Sequence, residues 1–270
     1  MSYRKKHIKN KIHKIKPKKP VLKTPIFWIF ILFLIAVFTA LYFVLFYSGF
    51  QVENIIISGN EKIQSKDIEK IVFDNINKKI TKSIFLTNPP ELQQLILKSF
   101  PLIETVIAER RLPQAVTIKI RERKPFAVFC PSTASGQASD QRFLIDKNGV
   151  IFGELQNLPQ DMLIIKQALN NKEVFTGENV IEKNIMDMIS KVETSLRDNF
   201  QVDIAEALVS DPARLDIKTS ENWQIYFNLN SNTDLQIIKL NSLLRDEISA
   251  TSRASLQYID LRFGDRAYYK

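Results

Sequence analysis

Histidine is almost missing from this chain. Only His7 and His13 occur among 270 residues, so everything beyond them lacks imidazole, which excludes Ser-His-Asp and Cys-His couples and histidine-ligated metal sites there. A single cysteine, Cys130, excludes an internal disulfide and a multi-thiolate zinc site. It is expected to be a small buried apolar residue at the end of the run 126–129. The seven glycines form neither GxGxxG nor GxxxxGK, so no phosphate-cradling loop is present. Neither a cofactor, a metal nor a small-molecule substrate is expected. Asp and Glu are scattered through the chain, so a carboxylate pair able to hydrolyse glycosides stays open.

Acidic residues are also absent from the first 24 positions, which carry ten Lys or Arg. Removing those ten from totals of 38 basic and 29 acidic leaves 28 against 29, so the net charge of +9 belongs to this tail alone. Directly after it, residues 26–47 form an uncharged, almost wholly apolar run. At about 1.5 Å per helical residue it reaches roughly 33 Å, enough for a hydrocarbon core of about 30 Å. Basic residues flanking a span stay on the cytoplasmic side, which predicts the N-terminus inside and the rest of the chain outside. A polylysine tail also attracts nucleic acid or anionic lipid; the topogenic role is the reading adopted, with no nucleic-acid partner. A cleaved signal peptide would have a shorter apolar region and a small-x-small site. The residues after Phe46 match that poorly, so an uncleaved anchor is expected, with Trp28, Tyr42 and Tyr47 near the two interfaces.

Beyond the span, residues 50–60 hold a β-branched run ending in Ser58-Gly59-Asn60. Ile68, Ile71, Val72 and Ile76 follow helical spacing. Asn88-Pro89-Pro90-Glu91 opens a second helix with Asn88 as cap and Glu91 completing a capping box; its apolar face is Leu92, Leu95 and Ile96. Residues 102–111 read as a strand, 112–114 as a hairpin turn and 115–122 as a strand with Val116, Ile118 and Ile120 on one face. The order is β-α-α-β-β over residues 50–124. From 125 to 270 the pattern gives a short strand at 126–129, a polar, mobile-looking loop at 131–140 and a hairpin within 142–152 around Asp146 to Gly149. A long helix follows with Ile181, Ile185, Met188, Ile189, Val192 and Leu196 on its apolar side, Met186 and Met188 being ordinary core residues. Strands are expected near 202–209, 213–219 and 223–229, then a helix from Thr233 as cap to about Ile248 with Gln236 in a capping box, then a last strand at 256–263. The fold class is α+β, dominated by antiparallel sheet.

Four motifs, in order along the chain, carry a resemblance. Residues 101–113, PLIETVIAERRLP, followed by 118–127, IKIRERKPFA, resemble the FtsQ/DivIB type of POTRA domain: a Pro before the second strand, Arg-x-x-Pro into a hairpin, then alternation ending in Glu-x-x-Pro-x-Ala. Residues 52–60 are similar to that family's first strand. Leu144-Ile145-Asp146 with Gly149 and Phe152 resembles its Asp-x-x-Gly-x-x-Phe hairpin, and residues 258–263, YIDLRF, its closing Tyr-Val-Asp-Leu-Arg strand.

The resemblance implies a non-enzymatic division protein: a basic tail (1–25), one span (26–47), a POTRA domain (50–124) and a β domain (125–270). Its implied partners are FtsB/DivIC-like and FtsL-like membrane proteins and, through them, the septal synthases FtsW and FtsI. A terminal strand open along one edge suits β-augmentation by an extended partner segment. That edge is expected along residues 258–269, with Arg262 pairing a partner carboxylate, Phe263, Tyr268 and Tyr269 giving aromatic contact, and Asp265 beside them. Arg110, Arg111, Arg121 and Arg123 are expected to cluster in the POTRA hairpin as a basic patch, either solvated among Glu104, Glu109 and Glu122 or touching acidic headgroups or an acidic partner. Two rival classes stay in view: a signal-anchored cell-wall hydrolase using carboxylates, and a POTRA receptor for polypeptide transport, although no series of barrel strands follows.

Overall fold

A computed structural model describes residues 25–132, 141–159, 162–168, 173–264 and 266–270. The basic tail with His7 and His13, most of the polar loop expected at 131–140, and Asp265 lie outside the described residues.

Helix α1, Pro25–Phe46, contains no charged residue and buries none of its side chains. It is long and apolar enough to cross a membrane. A single 3₁₀ turn at Ser48–Phe50 leads directly into the first globular domain. There β1 (Asn54–Ser58), α2 (Ser65–Asn77), α3 (Pro89–Ser99), β2 (Ile103–Arg111) and β3 (Ala115–Glu122) follow in the expected order. The sheet order is β1-β3-β2, with β3 central, parallel to β1 and antiparallel to β2. Apolar residues at helical spacing, Ile68, Val72 and Ile76 on α2 and Leu92 and Ile96 on α3, pack against the inward side chains Val116, Ile118 and Ile120.

Two features that carried the resemblance turn out to be architectural. Gly59 has φ +85, and a Cβ there would stand 2.1 Å from the Ile120 carbonyl oxygen, so the turn after β1 requires glycine. Glu122 ends β3 by accepting backbone N–H bonds from Glu61 at 2.8 Å, Lys62 at 2.9 Å and Ile63 at 3.0 Å, which ties the loop before α2 to the sheet. Burial pushes this carboxyl's pKa up, but the three N–H donors outweigh it and hold the group below the usual range. Asn88 caps α3 by conformation without a side-chain bond. The capping box is not formed, because Glu91 accepts from Asn75 at 3.0 Å and Lys79 at 2.8 Å instead.

The second domain is built on a nine-stranded sheet of β4 (Ala127–Ser132), β5 (Phe143–Ile145), β6 (Ile151–Glu154), β7 (Ile164–Ala168), β8 (Ile204–Asp211), β9 (Arg214–Thr219), β10 (Gln224–Asn228), β11 (Tyr258–Asp260) and β12 (Tyr268–Tyr269). Their order is β12-β11-β10-β9-β8-β7-β4-β5-β6. Antiparallel neighbours predominate, as expected, but β4/β7, β7/β8 and β10/β11 are parallel. Strand β7 has no counterpart in the periodicity reading, because Lys166 and Gln167 interrupt its apolar run. Inside the sheet Lys166 pairs with Glu206 at 2.8 Å. Strand β4 runs on through Pro131 and Ser132, where loop was expected.

Helix α4 (Lys183–Phe200) buries Ile185, Met186, Met188, Ile189, Val192 and Leu196 in the core centred on Trp223, Phe129 and Phe227. Cys130, next to Phe129 on β4, is buried as well. Helix α5 (Thr233–Ser242) passes into one π turn at Leu243–Glu247, and the short α6 (Ala250–Arg253) follows. The cap of α5 is Asn232 rather than Thr233: its side chain accepts from the Leu235 N–H. Gln236 forms no capping box. It is buried and exchanges two 2.9 Å bonds with the Asn228 backbone.

The domains are joined at Arg123. Its Nε donates to the Pro101 carbonyl at 3.0 Å and its Nη1 to Asp146, whose other carboxylate oxygen accepts from the Asn148 and Val150 backbone at 2.9 and 3.0 Å. Both side chains are largely enclosed.

Candidate partner-docking edge

The expected final strand at 256–263 is shorter and doubles back. Strand β11 covers only Tyr258–Asp260, and Ile259 and Asp260 face Tyr269 and Tyr268 of β12. The edge of β11 is therefore occupied by the chain's own C-terminal residues, and the free edge of the sheet lies one strand further out. Lys270 donates to the Tyr258 carbonyl at 3.1 Å and accepts from the Tyr258 N–H at 3.3 Å. These two form a hydrogen-bonded pair, so the alternation of an antiparallel ladder turns the N–H and C=O of Tyr269 outward.

Three contacts fix the turn between the strands. Arg266 N–H reaches the Phe263 carbonyl at 3.0 Å, Lys239 of α5 bonds the Gly264 carbonyl, and the Tyr269 hydroxyl donates to Glu247 at 3.1 Å. Phe263 and Tyr268 meet edge to face with centroids 5.3 Å apart. Phe263, Tyr268 and Tyr269 nonetheless stay about half exposed.

Arg262 does not reach outward unpartnered. Its Nε and Nη2 grip the two Asp260 oxygens at 2.9 and 2.6 Å, and its guanidinium lies 5.4 Å from the Tyr226 ring centre. Burial raises the Asp260 pKa, yet the Arg262 bonds prevail and hold it below the usual carboxylate range. The Asp-Leu-Arg motif thus shapes the turn: Leu261 is buried and its N–H bonds the Tyr226 carbonyl at 2.9 Å.

Residues the sequence reading missed lie on α5. Leu235 and Ile238 are 59% and 58% exposed, and their three-residue spacing puts them on one side of the helix. Lys239, one turn beyond Leu235, fixes that side next to the Phe263–Gly264 turn. The signal was available: apolar positions 235, 237, 238 and 240 are more than one buried stripe needs.

The four POTRA arginines do not come together. Registers Arg111↔Ala115 and Thr105↔Arg121 place the first pair at the turn and the second at the far end of the ribbon, about 20 Å apart for six residues of strand. Arg110 donates to the Thr87 carbonyl at 2.8 Å, Arg121 pairs with Glu104 at 3.1 Å, and Arg123 is the interdomain bridge. Arg110, Arg111 and Arg121 stay exposed to solvent, Arg121 with 63% of its side chain accessible despite its pair.

Among the described residues no cluster of three or more His, Cys, Asp or Glu is arranged to hold a metal. A cavity of about 640 Å³ between Pro125, Leu158 and Ser220 contains two acids, Glu193 and Asp203. Both are ion-paired with Arg197, at 2.7 and 2.9 Å.

Comparison with known proteins accords with this architecture. Residues 50–123 match the FtsQ-type POTRA domain, and residues 136–262 match the C-terminal region of cell division protein FtsQ/DivIB. The cell division protein FtsQ of Rickettsia bellii is 30% identical over 151 residues, 55% of this chain and 51% of that protein. FtsQ of Rickettsia prowazekii is 35% identical over 135 residues, covering 50% and 45%. The chain thus spans about half the length of the curated relatives it matches. With both globular domains matched in order behind one apolar helix, the chain belongs to the FtsQ/DivIB family of cell division proteins.

Proposed function

We propose that the chain is a non-enzymatic, single-pass scaffold of the bacterial division septum. Its tail lies in the cytoplasm and its two globular domains outside, as the acid-free basic flank favours. The β domain captures an extended segment of an FtsB/DivIC-like protein and, with it, an FtsL-like protein, linking them to FtsW and FtsI. The observation that carries this reading is the outward-facing main chain of Tyr269 on a two-residue edge strand, flanked by half-exposed Phe263, Tyr268, Leu235 and Ile238. A partner strand pairing there gains main-chain bonds and an aromatic and aliphatic rim. Hydrolysis by a carboxylate pair finds no support in the cavity beside Pro125 and Ser220, whose two acids are both ion-paired with Arg197.

Tyr269→Pro tests the mode of binding, because proline removes the outward N–H and leaves the bonds of Tyr258 with Lys270 in place. Tyr269→Ala removes the ring but keeps the N–H. In co-purification with the FtsB-like protein of the same cell, the proline variant is expected to lose capture about tenfold or more and the alanine variant clearly less. Equal, undiminished capture by both removes this edge from the mechanism. A fluorescent fusion spread evenly around dividing cells, rather than banded at mid-cell, contradicts the septal role.

A further inference from the structure

The base of the POTRA domain is built around the exit of α1. Ser83 Oγ donates to the Val44 carbonyl at 3.2 Å, and Thr81 Oγ1 and Gln51 Nε2 each donate to the Leu45 carbonyl at 2.9 Å. From the hairpin turn, Gln114 Nε2 reaches the Ser48 carbonyl at 3.2 Å. Carbonyls at a helix C-terminus have no partners within the helix, and here a folded domain supplies them. The loop of residues 78–87 and the turn of residues 112–114 are thereby held against the last turn of α1. A helix of 22 residues extends roughly 33 Å, close to the thickness of a hydrocarbon core of about 30 Å, so that last turn, and the loops bonded to it, sit at headgroup level.

These loops carry the wrong residues for open water. Ile80 is 92% exposed, the highest value among the exposed large hydrophobic residues, and Leu112 is 61% exposed. Phe85 and Leu86 are exposed beside them. An aromatic series runs from the helix into the loop: Phe43 on Tyr47 at 4.4 Å, Tyr47 on Phe50 at 5.7 Å and Phe50 on Phe85 at 5.3 Å. Aromatic rings of this kind settle at membrane interfaces. Charge agrees. Lys78, Lys79, Lys82, Arg110 and Arg111 lie in or next to these segments. Lys79 is neutralised by Glu91, and Asp74, Glu53 and Glu109 lie toward the same end, leaving an excess of one positive charge from five against four.

We propose that this base is a lipid-binding face: Ile80, Phe85, Leu86 and Leu112 enter the headgroup region of the leaflet where α1 emerges, and Lys78, Lys82 and Arg111 contact anionic headgroups. The POTRA domain then stands on the bilayer in one fixed orientation and does not swing on a tether. The proposal rests on α1 spanning a bilayer, and it is independent of the partner captured at β12.

The test uses the full-length chain in nanodiscs of phosphatidylcholine with or without phosphatidylglycerol, carrying a nitroxide quencher on the lipid headgroup. In a Cys130→Ser background, a fluorophore is placed at Ile80→Cys, at Leu112→Cys or, as the control, at Leu235→Cys, a position as exposed as Leu112. Quenching at positions 80 and 112 is expected to exceed that at 235 by about threefold in anionic discs, and Lys78→Glu with Lys82→Glu is expected to remove about half of the excess at 80. Quenching at 80 and 112 no greater than at 235 overturns the proposal. So does protection that arises only when a second membrane protein is added, which would assign the face to protein, and so does quenching indifferent to both charge reversal and lipid charge. Brominated acyl chains report separately on Trp28 in α1: if they fail to quench it, the anchoring falls together with the proposal.

Discussion

Arg262 illustrates how a motif residue shapes the turn beside a proposed docking edge. Its bidentate grip on buried Asp260 fixes the chain reversal that presents Phe263 and β12. Arg262→Ala would leave Asp260 enclosed and without its cation, a loss of about 2 kcal/mol at neutral pH. The sign with pH follows from the depressed carboxyl. Because the folded-state pKa of Asp260 lies below its unfolded value, its contribution is present above the unfolded value of about 3.9 and disappears as pH falls through the folded one. The gap in unfolding free energy between wild type and Arg262→Ala is therefore expected to narrow markedly between pH 7 and pH 3. A gap unchanged over that range would show that the pair contributes through packing alone.

At the scale of elements, the POTRA domain was the most legible part. Its helices announce themselves by the spacing of Ile68, Val72 and Ile76 and its hairpin by strict alternation through 115–122, since one buried face imposes one period. Caps were read less well. Asn88, Glu91, Thr233 and Gln236 have the right chemistry at the right spacing, but Lys79, Asn75 and the Asn228 backbone, distant or invisible in a linear pattern, compete for the same polar atoms. The final strand was overextended because Leu261 and Phe263 continue its apolar run, and nothing local shows that Asp260 and Arg262 turn the chain back. Strand β7 was missed because its lysine is satisfied by a glutamate 40 residues away.

The loop before α2 and the end of β3 illustrate the converse, a motif residue whose role is structural. Glu122 gathers three backbone N–H groups. Glu122→Ala is expected to lower POTRA stability by about 2 kcal/mol. Glu122→Gln, which keeps an acceptor oxygen without the charge, should cost roughly half as much in denaturant unfolding. Identical losses for the two would argue that charge plays no part in the capture.

Taken as one molecule, a POTRA base seated on a bilayer and a partner strand received at β12, both as proposed, would require the two domains to keep one orientation, and the only ion pair that crosses between the domains among those described is Arg123–Asp146. Arg123 also holds the Pro101 carbonyl, while Asp146 organises the turn closed by Gly149, where φ is +76 and a Cβ would stand 2.4 Å from the Ile181 carbonyl oxygen. The pair therefore couples the POTRA hairpin to the first hairpin of the β domain, and through Ile181 to the entrance of α4. Removing the cation alone leaves an enclosed carboxylate uncompensated, which costs about 3 kcal/mol, whereas removing both charges costs less than the sum of the two single changes. Arg123→Met is thus expected to destabilise strongly, and adding Asp146→Asn should recover at least about 1 kcal/mol in a double-mutant cycle. Small-angle scattering of the two globular domains should show a wider spread of domain orientations for Arg123→Met than for wild type. Additive free energies together with an unchanged scattering profile would mean that the domains are held by packing around Pro125 and Phe126, with the ion pair a bystander.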